Sequence, residues 1–125
     1  MRSKYGEYPE YHTSLDNLSV ISPQGLFGGY MALARCLECL EKDCLPNLRI
    51  PCEPQLGRRG LYPDVSIKGS TSSVRDMINL LAYADGSKSL VEIGDLIGAA
   101  AWELRSHVDT LVEEDVLEVR EFIPE

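Results

Sequence analysis

The 125-residue sequence has no apolar run near the roughly 18 to 20 residues that a membrane span requires. Its N-terminus carries charges and tyrosines where a secretory signal would place an apolar stretch. A membrane protein and a secreted one are thereby disfavoured, and a cytoplasmic protein is expected. Histidine is scarce: His12 and His107 are the only two. The four cysteines, Cys36, Cys39, Cys44 and Cys52, lie close together, but there is no second closely spaced pair and no neighbouring His to complete a tetrahedral metal site. They are read as buried or incidental thiols, since free Cys packs as a small apolar side chain. Cations are short in one half of the chain. Residues 1–69 hold eight Lys/Arg and eight Asp/Glu, whereas residues 70–125 hold four against twelve, which accounts for the whole net charge of −8. Nucleic-acid binding draws much of its affinity from Lys/Arg on phosphate, so this distribution argues against a nucleic-acid partner.

What is present is ordinary globular composition, 44% hydrophobic, in a length suited to one domain or two very small ones. Residues 1–21, with Tyr5, Tyr8, Tyr11 and Pro9, hold no period and read as loop. Ser22 then caps and Pro23 suits a first helical position. Leu26, Tyr30, Leu33, Leu37 and Leu40 recur at steps of four and three, predicting a helix over 23–42 whose apolar face Phe27, Met31 and Ala34 widen. A stripe that broad should pack against something large. From Pro46 to Ser73 the prolines Pro46, Pro51, Pro54 and Pro63 and the Gly69 linker predict an irregular crossing that wraps over another surface.

The last third is periodic. Val74, Met77, Ile78 and Leu81 form a helical face ending at Asp85-Gly86. Ser89 and Glu92 make a capping box for a short helix that Gly98 closes. Leu104, Val108, Leu111 and Val112 mark a third helix over about 100–113, and residues 117–122 alternate as a strand. Helix, short helix, helix, strand is the order of a winged helix.

Two long motifs carry a resemblance. The stretch Tyr8-Pro9-Glu10-Tyr11-His12-Thr13-Ser14-Leu15-Asp16-Asn17-Leu18, and later Glu53-Pro54-Gln55-Leu56-Gly57-Arg58-Arg59-Gly60-Leu61-Tyr62-Pro63, resemble the C-terminal part of bacterial zinc aminopeptidase-like proteins. Those proteins often lie near polysaccharide-biosynthesis genes and end in a winged helix, and the similarity runs essentially the full chain. The resemblance implies that His12 is the last metal ligand of a co-catalytic zinc site, on a loop beyond the final strands of an α/β domain. It implies that Asp16 either orients that ligand or starts the following helix. Arg58 and Arg59 would then meet carboxylates or a substrate's terminal group, or else belong to a structural turn in which Gly57 and Gly60 take special dihedrals. Cys52 stands where the family more often has Gly. The upstream ligands and the general base that such a peptidase needs are missing from this sequence, so no catalytic residue is assigned and no tightly bound zinc is expected. His107 falls in the third winged-helix helix and reads as a solvated helical side chain.

The expected fold is therefore α+β and mainly helical. Residues 1–68 are the C-terminal piece of an α/β zinc-aminopeptidase-like domain and residues 69–125 a small winged-helix module. The expected function is that of a fragment or remnant of such a protein, not competent alone, whose partner is the missing N-terminal part or a second copy. Its winged helix serves protein packing or interaction, with Trp102 beside Ala99, Ala100 and Ala101 as the contact. A DNA-binding regulator is the alternative. It is disfavoured because the helix over 100–113 offers Arg105 against Glu103, Asp109 and Glu113.

Overall fold

The computed structural model describes residues 4, 6–50, 52–61 and 70–122. Tyr5, Pro51, Tyr62, Pro63 and Gly69, together with the rest of the 62–69 linker, lie outside the described residues. The chain divides into two compact units, residues 1–40 and 41–125, where the sequence suggested a division at 68/69.

Unit 1 is a turn-rich segment followed by one long helix. A 3-10 turn over Leu18–Val20 is capped by Asn17, whose side chain accepts from Ser19 N at 2.8 Å. Helix α1, Pro23–Glu41, starts as its sequence dictates: Ser22 Oγ accepts from Gly25 N at 3.0 Å, and Pro23 occupies the position where a missing N–H costs nothing. None of its residues is buried. The stripe Leu26, Phe27, Tyr30, Leu33, Leu37 and Leu40 is between 60% and 78% exposed.

Unit 2 is mainly helical with a small sheet. Its elements are β1 (Cys44–Leu48), α2 (Ser70–Tyr83), α3 (Leu90–Ile97), α4 (Ala101–Glu113) and β2 (Leu117–Glu121). Strand β1 corrects the reading of residues 46–73 as irregular from their start. Pro46 sits inside a strand because the neighbouring groups satisfy the strand on both sides. On one side β1 pairs antiparallel with β2, Leu48 opposite Leu117 and Cys44 opposite Glu121. On the other, Leu48 N donates to Ala84 O at 2.8 Å and Gly86 N donates to Pro46 O at 3.0 Å. The Asn47 amide reinforces the first pairing by donating to Glu118 Oε1 at 2.8 Å.

The three helices close over one face of this sheet. Leu80 from α2, Leu90 and Ile93 from α3, Leu104, Val108 and Leu111 from α4, and Val116 and Leu117 at β2 are all but fully buried. The capping box of α3 is complete: Ser89 Oγ accepts from Glu92 N at 3.3 Å, and Ser89 N donates to Glu92 Oε2 at 2.7 Å. At the end of α3 the chain turns so tightly that a Cβ on Gly94 would stand 2.7 Å from the Ala99 carbonyl oxygen. Only glycine fits there. Helix α4 ends with Asp115 in the left-handed region at φ 58, and Val116 N donates to Leu111 O at 2.9 Å. These connections turn the alternating end of the sequence back along β1, completing the winged helix. Among the described residues, no helix is long and apolar enough to cross a membrane.

Candidate functional site

Three places hold the residues that the sequence singles out. The first is the His12 loop of unit 1. Successive turns wind it tightly: Tyr11 N donates to Tyr8 O at 3.2 Å, Thr13 N to Glu10 O at 3.0 Å and Asp16 N to Thr13 O at 3.2 Å. The Thr13 hydroxyl adds a bond to Glu10 O at 2.7 Å and accepts from Leu15 N at 3.2 Å. His12 takes φ 58, a left-handed conformation that His tolerates better than most residues. The Tyr11 ring lies edge-on to its imidazole, centroids 4.2 Å apart. The Asp16 carboxylate accepts from the Tyr8 hydroxyl at 3.0 Å, tying the two ends of the loop together. The loop therefore presents an exposed imidazole on a built turn. As a metal donor set it is incomplete, because among the described residues no three His, Cys, Asp or Glu come together in a way that could hold an ion. Among the described residues, His12 has no second and third donor beside it with which to hold an ion.

The second place is the Glu-Pro-Gln loop, which belongs to unit 2. Leu56 is 3% exposed and pins it into the core. Arg59 then secures it: Nε donates to Pro54 O at 3.1 Å and Nη1 donates to Glu114 O at the C-terminal end of α4, where orphan carbonyls and the helix dipole favour a cation. Arg49 pairs with Asp115 beside it. Arg59 is thus a structural clamp. Arg58, by contrast, lines an open cleft of about 350 Å³ with Ile50, Glu53, Pro54, Gln55 and Arg59. Of the two glycines expected to take special dihedrals, Gly60 does at φ 69, and Gly57 does not. Gln55 takes the left-handed position instead, at φ 52, with its N–H held by Glu53 Oε1 at 3.1 Å. A carboxylate two residues back supplies the local hydrogen bond that makes the conformation tolerable.

The third place is α4, the element that a DNA-binding winged helix would present to the major groove. Its sole Lys or Arg is Arg105, and that guanidinium is engaged inside the unit. Nε donates to Asp109 Oδ1 at 3.0 Å, and Nη1 donates to Lys42 O at 3.0 Å and reaches Cys44 Sγ at 3.8 Å. Cys44 is buried beneath it, and that burial pushes the thiol above its ordinary value, with Arg105 opposing. Cys36 and Cys52 are exposed and Cys39 is half-buried. His107 is packed toward α2: its Nε2 lies 3.5 Å from Ser73 Oγ, and burial lowers its ionisation while Asp76 opposes. It is a helix-packing residue rather than the solvated one expected. Trp102, at the start of α4, is 38% exposed. The bonds of Arg105 and Arg59 to distant carbonyls left no sequence signal, because backbone acceptors carry no residue identity.

Comparison with known proteins gives two family matches. Residues 44–119 match the model of the winged helix-turn-helix family, and residues 1–43 match a domain of unknown function, DUF4910. Over 123 residues the chain is 33% identical to a Clostridium acetobutylicum protein named for polysaccharide biosynthesis and an aminopeptidase-like domain. The match takes in 95% of this chain and 28% of that protein. A crystal structure from the same organism, titled as that of a peptidase, superposes with a TM-score of 0.72 at 30% identity, over 96% of this chain and 26% of that one. The chain therefore spans about a quarter of the length of each relative it matches.

Proposed function

The chain belongs to the winged helix-turn-helix family, and from that premise we propose that it works as a protein-interaction module alongside an aminopeptidase-like domain, rather than as a DNA reader. The observation that carries this reading is the engagement of Arg105. With its one firm cation turned onto Asp109 and the Lys42 carbonyl, α4 offers a groove Glu103, Asp109 and Glu113 and no free partner for phosphate. The relatives' names and their greater length support an aminopeptidase-like domain as the companion, in the same polypeptide or a separate one. In this reading the exposed stripe of α1 lies against that domain, His12 contributes one imidazole to a metal site completed there, and Trp102 makes a second contact from α4. The chain alone is not a peptidase. The whole protein would serve polysaccharide biosynthesis, as the relative's name suggests.

The test uses the Clostridium acetobutylicum relative with its matching segment removed, titrated calorimetrically with this chain. Saturable binding is expected, weakened by Leu33→Glu and by Trp102→Ala at unchanged melting temperature. His12→Ala should leave association intact while lowering the zinc content of the complex measured by elemental analysis. A gel shift of duplex DNA by the chain at low ionic strength, released by salt, would instead establish the DNA-binding alternative.

A further inference from the structure

We propose that two copies of this chain join through the open edge of β2, making a continuous antiparallel sheet in the order β1, β2, β2 of the second copy, β1 of the second copy. This rests on the register of the sheet and is independent of any aminopeptidase-like partner. Arg49 N donates to Val116 O at 3.0 Å, and the register sets Asn47 opposite Glu118 and Leu45 opposite Arg120. In an antiparallel pair the bonded positions alternate. The Val116 carbonyl and the backbone groups of Glu118 and Arg120 therefore turn toward β1, and Leu117, Val119 and Glu121 turn theirs away. The opposite assignment on β1 agrees, since Leu48 N and Pro46 O face the 84–86 segment. Among the described residues the sheet has no strand beyond β2. Its outward N–H and C=O groups form a template for pairing.

The side chains choose the occupant. Charged residues usually protect such an edge, and Glu118 and Arg120 would repel most strands. Antiparallel pairing about a two-fold axis at Val119 does the reverse. It sets Glu118 against Arg120 of the second copy, and Arg120 against Glu118 of the second copy. Both pairs fall at non-hydrogen-bonded positions, where cross-strand side chains approach most closely. On the other face Val119, 40% exposed, meets its own copy. Parallel pairing in register would instead set Glu118 beside Glu118. An isologous contact of this kind closes at the dimer, because the far edge of β1 is already taken by residues 84–86.

The experiment is sedimentation of the full chain from micromolar to several hundred micromolar concentration. A dimer whose fraction rises with concentration is expected. Glu118→Arg and Arg120→Glu should each weaken it roughly tenfold by setting like charges opposite. The double variant, with the charges exchanged, should recover the affinity that Glu118→Arg alone loses. Val119→Pro removes an N–H that faces away from β1 and should leave a monomer with unchanged far-ultraviolet circular dichroism. A wild-type chain that stays monomeric throughout would overturn the proposal. So would a Val119→Pro variant that associates like wild type, which would place the contact elsewhere, or a double variant no tighter than Glu118→Arg. Should Val119→Pro fail to fold, the charge exchange decides alone.

Discussion

Helices α1 and α4 carry apolar residues at the same three- and four-residue steps, and they end in opposite states. Leu104, Val108 and Leu111 of α4 are buried, whereas Leu26, Leu33, Leu37 and Leu40 of α1 are at least 60% exposed. Periodicity selects the face of a helix; burial needs a second surface at the right distance. Helix α4 finds that surface in α2, α3 and the sheet. In α1, Gly25, Gly28 and Gly29 are poor helix formers near the N-terminus, and no buried side chain offsets them. Its helicity in the isolated chain depends on the Ser22 cap, Pro23 and the remaining good formers.

The largest expected effect follows from this contrast. Leu111→Ala should destabilise unit 2 by about 2–5 kcal/mol, the usual cost of emptying a packed core position. Leu33→Ala should change urea unfolding of the isolated chain by less than about 0.5 kcal/mol. A Leu33→Ala penalty as large as that of Leu111→Ala would abolish the distinction between the two helices.

Next in size is Gly94→Ala. The new Cβ meets the Ala99 carbonyl, a backbone atom that cannot swing aside, so α3 and α4 must separate. A loss of about 1–3 kcal/mol by chemical denaturation is expected, although Ala is the better helix former. A gain in stability would mean that the α3–α4 turn is looser than its geometry indicates.

The smallest effect is the pH dependence, argued from four groups of unit 2. His107 is held below its ordinary value of 6.5, first by burial. The unfolded chain therefore takes up that proton first, and stability is full above 6.5 and falls as pH drops through it. Asp85 is lowered chiefly by its bonds from Ser87, and Glu118 by those from Asn47 and Arg120. Their contributions are present above the ordinary values of 3.8 and 4.5 and are lost on further acidification. Cys44 is raised above 9.0 by burial, so its contribution is full below 9.0 and fades as pH rises beyond it. A stability plateau between about pH 6.5 and 9 should appear in unfolding midpoints. Cys44→Ala should flatten the alkaline limb and leave the acid limb in place; an unchanged alkaline limb would remove Cys44 as its cause.

Much of unit 2 was legible in the residues. Ser89 and Glu92 announced the start of α3, Gly98 its end at φ 70, and the alternation after Leu117 the strand β2, because each signal acts within a few residues of itself. Helix α1 was legible for the same reason. Strand β1 was not. Pro46 argues against a strand, and the groups that make one possible, in residues 84–86 and 117–121, lie far along the chain. At the candidate sites the residue types were visible and the partners were not. Arg59 was a candidate for substrate or for packing, and the fold set it on the α4 terminus; Asp16 was a candidate for orienting His12 or starting the next helix, and the fold set it on Tyr8.

By itself, then, the sequence determined the helices, their caps and apolar faces, the closing strand, and the acidic surface of the winged helix, all of them consequences of short-range spacing and of summed charge. Only the tertiary structure decided that β1 joins unit 2, that Arg105 is tied to Asp109 and the Lys42 carbonyl, and that α1 leaves its stripe in water. Each of those depends on which distant backbone or side chain arrives beside a residue, and that is set by the packing of the whole unit.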